Sequence, residues 1–387
     1  MKRLAALALA CFALNAWGQQ ATLSPQAEIS LITCGPGQEE VYIAFGHSAI
    51  RVVDPANKIN YAYNYGVFDF QQPNFYLNYT RGLLLFQLGV YDYPDFIRAY
   101  ASYNRWVTEQ VLDLSQSQKQ QVFDYLEWNA LPENETYRYD YFYNNCSNKV
   151  RDVFVEVLKD SLQFDESFIT TTYTIRQLTD LYLTHQPWGD LGIDICLGLP
   201  IDKTATPYEY MYLPDYLASS FDHASITRNG STAPIVKLKR PVFMTVPKAA
   251  PRSLIHPWVA FGAFFLVTIA LTFFDWRRKK ISKWFDALLF AILGLVGILL
   301  LLLWTMTDHA AAAKNFNLLW ALPTHLVVFL IFVRRSAPFL RIYFTATAIL
   351  TALLLASWFF LPQQLSVFLL PFVAAIGCRA LLISRLL

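Results

Sequence analysis

Five apolar stretches fill the last third of the chain, at roughly 258–274, 287–305, 316–333, 340–361 and 365–384. Each is close to the ~20 residues that an α-helix needs to cross the hydrocarbon core of a bilayer. Backbone in that core must satisfy its hydrogen bonds within the segment, so this part is expected to be an all-α membrane domain of five helices. The last stretch is the weakest, because Arg379 interrupts it. The connecting loops also fix an orientation, since short cytoplasmic loops keep Lys and Arg. The first loop carries Arg277, Arg278, Lys279, Lys280 and Lys283, the second only Lys314, the third Arg334, Arg335 and Arg341, and Pro362–Ser366 none. Odd loops are therefore cytoplasmic, and the first span enters from outside.

That orientation places everything before the spans across the membrane, and the N-terminus agrees. Met1-Lys2-Arg3 followed by Leu4–Leu14 has the basic start and short apolar run of a signal peptide, with small residues at Ala16 and Gly18 for cleavage before Gln19. A lipobox reading around Cys11 competes with it. The expected organisation is a signal peptide at 1–18, an outer domain at 19–240, a Pro-rich linker at 241–257 and the membrane domain at 258–387. From Trp258 onward there are eleven Lys or Arg and three Asp or Glu, which leaves 20 basic and 26 acidic residues before it. The outer part is thus acidic, and nucleic acid is excluded as a partner on electrostatic grounds.

Within the outer domain, Val41–Val53 is β-branched and aromatic and stops at the turn signal Asp54-Pro55, and Ile59–Tyr65 reads as a second strand closing at Gly66. Pro94–Tyr103, Ser117–Asn129 and Asn148–Asp160 have helical spacing, so the domain is expected to be α+β. Its cysteines are Cys34, Cys146 and Cys196. An odd number leaves one thiol over in an oxidising compartment, and Cys34 with Cys196 is a pairing that the spacing leaves open.

Cys146 is the thiol with chemistry around it. Asn144 or Asn145 is a natural N-cap, and Val150, Val153, Phe154, Val157 and Leu158 then repeat at helical spacing. Cys146 thus falls in the first turn, where a helix N-terminus favours the thiolate that a nucleophile requires. A buried cysteine or half of a disulfide is the competing reading. His47 follows Gly46 on the apolar face of a strand, where a lone histidine is commonly a satisfied core residue. Taken together, a strand-borne imidazole and a first-turn thiol are the parts of a cysteine acyl-transfer site, and their order in the chain is that of a permuted papain-like arrangement. Asn64, with Tyr63 and Asp69 nearby, is the candidate to orient the imidazole. Asn145 is a candidate oxyanion donor, with capping as its simpler role.

Four segments carry a resemblance to a known family: Phe45–Arg51 (FGHSAIR), Asn64–Phe70 (NYGVFDF), Tyr139–Asn148 (YDYFYNNCSN) and Met211–Pro214 (MYLP). They resemble the signatures of the Lnb-type lipoprotein N-acyltransferases, as does the order of signal peptide, outer domain and membrane part. The resemblance implies a permuted papain-like outer domain similar to NlpC/P60 or lecithin:retinol acyltransferase-like enzymes. It implies transfer of a fatty acyl chain from a phospholipid donor to the α-amine of a diacylated lipoprotein, at the bacterial inner membrane, through Cys146 and His47; with six histidines and no metal motif the chain is expected to use no metal or cofactor. Polar residues between the second and third spans, His309 and Asn315 among them, are candidates to hold a lipid head group or to cap the interface. His325 lies within the third span, either functional or bonded to another helix.

Two other readings stay open. One is a membrane-tethered NlpC/P60-like hydrolase of peptidoglycan, which five spans count against. The other is a non-catalytic membrane scaffold with Cys146 structural. No zincin, nucleophile-elbow, P-loop or dinucleotide motif is present in the chain.

Overall fold

The computed structural model describes residues 21–246, 255–328 and 338–387. The expected signal peptide, part of the linker and the end of the third apolar stretch lie outside the described residues.

The outer domain is built on a seven-stranded antiparallel sheet: β1 (Glu28–Cys34), β2 (His47–Asp54), β3 (Ile59–Val67), β4 (Leu85–Asp92), β5 (Val107–Leu112) and β6 (Thr136–Arg138), with a last strand, Val236–Phe243, on its edge. The spatial order is last strand, β5, β1, β2, β3, β4, β6. Two-residue periodicity sorts its side chains onto two buried faces. Ile29, Leu31, Ile50, Val52, Tyr63 and Tyr65 belong to the larger core. Ile32, Cys34, Ala49 and Ala62 face a smaller one.

Besides the single turn Pro207–Tyr210, the described helices of this domain are α1 (Phe75–Thr80), α2 (Tyr93–Ser102), α3 (Gln116–Asn129), α4 (Cys146–Leu158), α5 (Ile175–Leu183), α6 (Pro187–Cys196) and α7 (Pro214–His223). α2 covers the smaller core with Tyr93 and Phe96. α3 and α4 cover the larger one through Val122, Phe123 and Leu126 and through Val150, Val153 and Phe154. The domain is α+β as expected, with two differences of extent. Val41–Ile43 forms a 3₁₀ turn and β2 begins only at His47, because Gly46 takes a positive φ of 81° and breaks the extended run. The edge strand continues through Pro241, opposite Thr108, to Phe243, three residues into the stretch expected to be linker. Proline is tolerated there because an edge strand has one unpaired side.

Among the described residues, four segments are long and apolar enough to cross a membrane: α8 (Pro257–Arg278), α9 (Lys283–Thr305), α10 (Pro338–Ser357) and Val367–Leu386, which contains α11 (Leu370–Leu386). The expectation of a third span starting at 316 is corrected at its outer end. Phe316–Leu319 is a 3₁₀ turn, and helix begins again only at Thr324. The cause is a clasp between the domains. Asn315 Nδ2 donates to the Ile195 carbonyl at 2.8 Å and Asn317 Nδ2 to that of Asp194 at 2.9 Å. Gly198 N–H donates to the Ala311 carbonyl at 2.8 Å, and Gln363 Nε2 to that of Leu197 at 3.1 Å. Gly198 leaves no room for a side chain, since a Cβ there would lie 2.0 Å from the Ala313 carbonyl oxygen. On the outer-domain side Arg176, fully buried, bonds Asp194 at 2.8 Å and Asp202 at 2.9 Å and holds this loop rigid. The clasp therefore sets the outer domain against the outer ends of the spans.

The charge bias of the loops predicts a cytoplasmic C-terminus. A C-terminal alkaline phosphatase fusion should be inactive and a fusion after Val246 active. An active C-terminal fusion would reverse the orientation.

Candidate active site

His47, Asn64 and Cys146 meet at one end of the sheet. The turn before His47 is pinned by Gly46, where a Cβ would stand 2.8 Å from the Cys34 carbonyl oxygen. His47 is thereby placed opposite Cys34 at the start of β2. Its Nε2 is in a short hydrogen bond with Asn64 Oδ1 on β3. An amide oxygen only accepts, so Nε2 carries the proton, and the neutral ring keeps Nδ1 as its basic nitrogen. Tyr100 of α2 stacks on the imidazole with ring centroids 6.1 Å apart and an interplanar angle of 18°. Asn64, the residue expected from the sequence to orient the imidazole, is brought beside it by this bond. Asn64→Ala should leave the imidazole free to turn, and losing a hydrogen bond to a buried ring costs about 1–3 kcal/mol. Steady-state turnover should fall roughly ten- to hundredfold, and Asn64→Asp should retain more activity than Asn64→Ala.

Cys146 is the first residue of α4. Asn145 caps the helix in a reciprocal box, its Oδ1 accepting from Asn148 N–H at 3.0 Å while Asn148 Oδ1 accepts from Asn145 N–H at 3.0 Å. The Asn145 amide also donates to the carbonyls of Tyr141 at 3.0 Å and Tyr212 at 2.8 Å. Both its N–H bonds are therefore committed, and the expectation of Asn145 as an oxyanion donor is corrected: it positions Cys146 by fastening the helix start to two backbone segments. The first intrahelical bond is Lys149 N–H to the Asn145 carbonyl. The N–H groups of Cys146 and Ser147 precede that bond in the first turn and are the donors available for a developing oxyanion. Ser48 points away from His47, its Oγ 3.0 Å from Ser147 Oγ in the core.

The electrostatics follow from this packing. Burial opposes the Cys146 thiolate and is the largest single influence. The charge of His47, a hydrogen bond from it, and further hydrogen bonds from the Ser48 backbone and from Ser147 together outweigh it, and the thiol pKa is lowered from 9.0 to about 7. Burial likewise opposes the His47 imidazolium most strongly, but the Cys146 thiolate and the hydrogen bonds to Cys146 and Asn64 raise its pKa overall. The pair favours thiolate and imidazolium. Cys34, close by, is fully buried, and burial pushes its thiol far above the ordinary value, so it stays protonated beside Cys146. Gly66, with a positive φ of 92°, faces the pair: a Cβ there would lie 3.5 Å from Cys146 Cβ and 3.9 Å from His47 Cε1.

Two family models match the chain, the Lnb N-terminal periplasmic domain over residues 13–181 and the Lnb transmembrane domain over residues 249–387. The chain belongs to the Lnb family. No curated protein and no solved structure matches it. The family match makes this Lnb protein a multi-pass membrane protein with a periplasmic N-terminal domain. His47, Asn64 and Cys146 lie within the periplasmic match, and the apolar segments within the transmembrane one.

The remaining expected residues of this Lnb chain fare unequally. Asn315 is buried and spends its amide on the clasp to Ile195 and Cys196, which corrects its expected role as a head-group ligand. His309 is half-buried at the start of the 3₁₀ turn Ala310–Ala312, where its side chain makes no capping bond and its backbone packs against Gly82 of the periplasmic domain. His325 Nδ1 is 2.7 Å from the Tyr343 hydroxyl, the helix-to-helix bond that was one of its two expected roles. Cys34 and Cys196 are both free thiols, so the pairing left open by the sequence is not formed. Sequence reading missed Tyr100 because nothing local in the chain ties it to His47. It also missed the Ser48 N–H, because backbone donors leave no signature in side-chain patterns.

Proposed function

We propose that the protein is a cysteine-dependent N-acyltransferase of the inner membrane that moves a fatty acyl chain from a phospholipid to the α-amine of a diacylated lipoprotein. The observation that carries this reading is the Cys146–His47–Asn64 constellation at the sheet end from which Gly66 leads to segments bonded to the membrane domain. A thiolate nucleophile, a base held in one tautomer and free first-turn N–H groups are the parts of acyl transfer. The order of His before Cys, on a strand and a helix N-terminus, is that of a permuted papain-like site. Family membership adds the lipid context.

In the first half-reaction the Cys146 sulfur attacks the ester carbonyl, and the oxyanion is held by the first-turn N–H groups. The C–O bond breaks, the imidazolium of His47 gives its proton to the leaving glyceryl oxygen, and an acyl-thioester with a lysophospholipid results. In the second half the lipoprotein amine attacks the thioester carbonyl, His47 accepts the amine proton, the C–S bond breaks with Cys146 leaving as the thiolate that takes back a proton from His47, and an amide forms. Both substrates are held in one bilayer, which supplies the effective concentration that favours the amine over water. The kinetics are ping-pong.

The test is to incubate the purified protein in detergent micelles with phospholipid carrying a labelled acyl chain and a diacylated lipopeptide. Label should reach the lipopeptide α-amine and disappear when that amine is blocked. Label passing to water at the same rate with or without lipopeptide would make the protein a lipase, and cleavage of a muropeptide would favour the hydrolase.

A further inference from the structure

Beyond the sheet end that holds the site, β3 runs through Gly66 into a segment of unusual surface. Phe70, Tyr76 and Leu77 are exposed to 61%, 73% and 56%, and Tyr79 is exposed beside them. Between Phe68 and Leu85 the only charged residues are Asp69 and Arg81. A contiguous apolar surface of this kind on a domain otherwise in water calls for an occupant. Its position names one. Arg81 carbonyl accepts from Asp308 N–H at 2.8 Å, and a Cβ on Gly82 would stand 2.9 Å from the backbone of Asp308 and His309. Arg138 is ion-paired with Asp308 at 3.0 Å. Asp308 follows α9 by three residues, so the segment hangs where that span leaves the bilayer.

The same segment is joined to the site by aromatic contacts. Phe70 packs on Phe75 at 5.0 Å between centroids, Phe68 on Phe70 at 4.9 Å, Phe68 on Phe86 at 5.2 Å, and Phe86 on Tyr139 at 4.3 Å. Tyr139 leads directly into the Asp140–Asn144 bridge, which delivers the chain to the Asn145 cap and Cys146. Tyr141, two residues on, donates to the Tyr79 hydroxyl at 2.8 Å and ties this segment to α1.

We propose that residues 68–85 are a lipid-entry hood, seated in the outer leaflet through Phe70, Tyr76 and Leu77, which passes an acyl chain of a bilayer lipid along Phe68, Phe86 and Tyr139 to Cys146. The proposal rests on the acyl-transfer reading for what happens at Cys146, and on the geometry alone for where the chain enters. Amphipathic surfaces rich in aromatic residues and nearly free of charge bind at this depth of a membrane, with the rings at the head-group boundary. At Gly66 a larger residue would strain the backbone at its positive φ and set its Cβ 3.5 Å from Cys146 Cβ, so the glycine leaves the thiol uncovered on that side.

The experiment uses the full chain in vesicles of phosphatidylethanolamine and phosphatidylglycerol whose acyl chains carry a label. A benzophenone amino acid replaces Tyr76, and in a control it replaces Lys58, in the turn between β2 and β3 at the opposite end of the strands. Irradiation should attach labelled lipid at position 76 and not at position 58. Equal labelling at the two positions, no lipid at position 76, or attachment to protein in place of lipid would overturn the hood. Because crosslinking needs no turnover, a protein that captures lipid at position 76 yet forms no thioester would keep the hood and lose the acyl-transfer reading. In parallel, Tyr76→Asp with Leu77→Asp should raise the apparent KM for vesicle-borne donor at least about tenfold, the loss expected when large apolar side chains are denied burial. Alkylation of Cys146 should proceed at the rate of the unchanged protein, which shows the site intact. An unaltered KM would overturn the proposal.

Discussion

Cys146→Ala and His47→Ala are each expected to abolish acyl transfer, lowering turnover by roughly four orders of magnitude or more while expression and membrane insertion persist. Neither side chain holds the fold. α4 is anchored by the Asn145 box and by Val150, Val153 and Phe154, and β2 by its pairing with β1 and β3. The double variant should be little worse than either single one, because nucleophile and base act as one unit. The two singles separate in their chemistry. In the unchanged protein Cys146 should be alkylated by iodoacetamide with a rate that rises through about pH 7, where the thiol ionises, in place of the ordinary value of 9.0. In His47→Ala the charge and hydrogen bond of the imidazole no longer oppose burial, so the alkylation midpoint should move up, above pH 7. A midpoint unmoved by His47→Ala, or full activity in Cys146→Ala, would end the assignment and return Cys146 to a structural role.

The sign of the pH dependence in turnover follows from the second half-reaction. His47 must be neutral to accept a proton from the amine, and its pKa is raised by Cys146 and Asn64. Once sulfur is acylated the thiolate charge is gone, and with it one of the influences that raise the imidazole pKa. Deacylation by the amine should therefore lose rate on the acid side at a lower pH than the free pair titrates.

How much of this was legible depends on the range of the interaction. His47 and Cys146 were readable because each is set by its immediate neighbours, Gly46 with its left-handed turn and Asn145 with its cap. Asn64 was readable because β2 and β3 form a hairpin with a short turn, so the next strand is the next place to look. Asn145 was misjudged as a donor because its amide is consumed by Tyr212, 67 residues away in the chain. Asn315 was misjudged in the same way, its partners lying 120 and 119 residues away. A polar residue in a loop reads as available until the carbonyls that consume it are known. The beginning of β2 was misplaced because Val41–Phe45 has the composition of a strand, while the conformation at Gly46 decides otherwise.

Arg379 is the residue whose meaning changes most between sequence and structure, and its removal is expected to have the second large effect. In the sequence it weakens the last span. In the fold it is fully buried and bridges three helices: Nε donates to Asp286 Oδ1 at 2.7 Å, and Nη2 to Asp286 Oδ2 at 2.6 Å and to Asp275 Oδ2 at 2.9 Å. Asp275 is held in addition by Ser282, whose hydroxyl donates at 2.7 Å and whose N–H donates at 2.8 Å. A guanidinium suits this role because its planar fork meets both oxygens of one carboxylate and still reaches a second. Cutting the pair by Arg379→Leu leaves Asp286 buried and uncompensated, a loss of about 3–5 kcal/mol. Purified full-length Arg379→Leu should therefore unfold at clearly lower temperature in detergent and accumulate poorly in membranes. Arg379→Leu combined with Asp286→Leu should recover most of the loss, because apolar residues of similar size replace the pair and Asp275 keeps its Ser282 bonds. If the single variant unfolds at the unchanged temperature, the three-helix bridge contributes nothing to the membrane domain. If the double variant is no better than the single, the cost lies in lost packing of the arginine stem and not in an orphaned carboxylate.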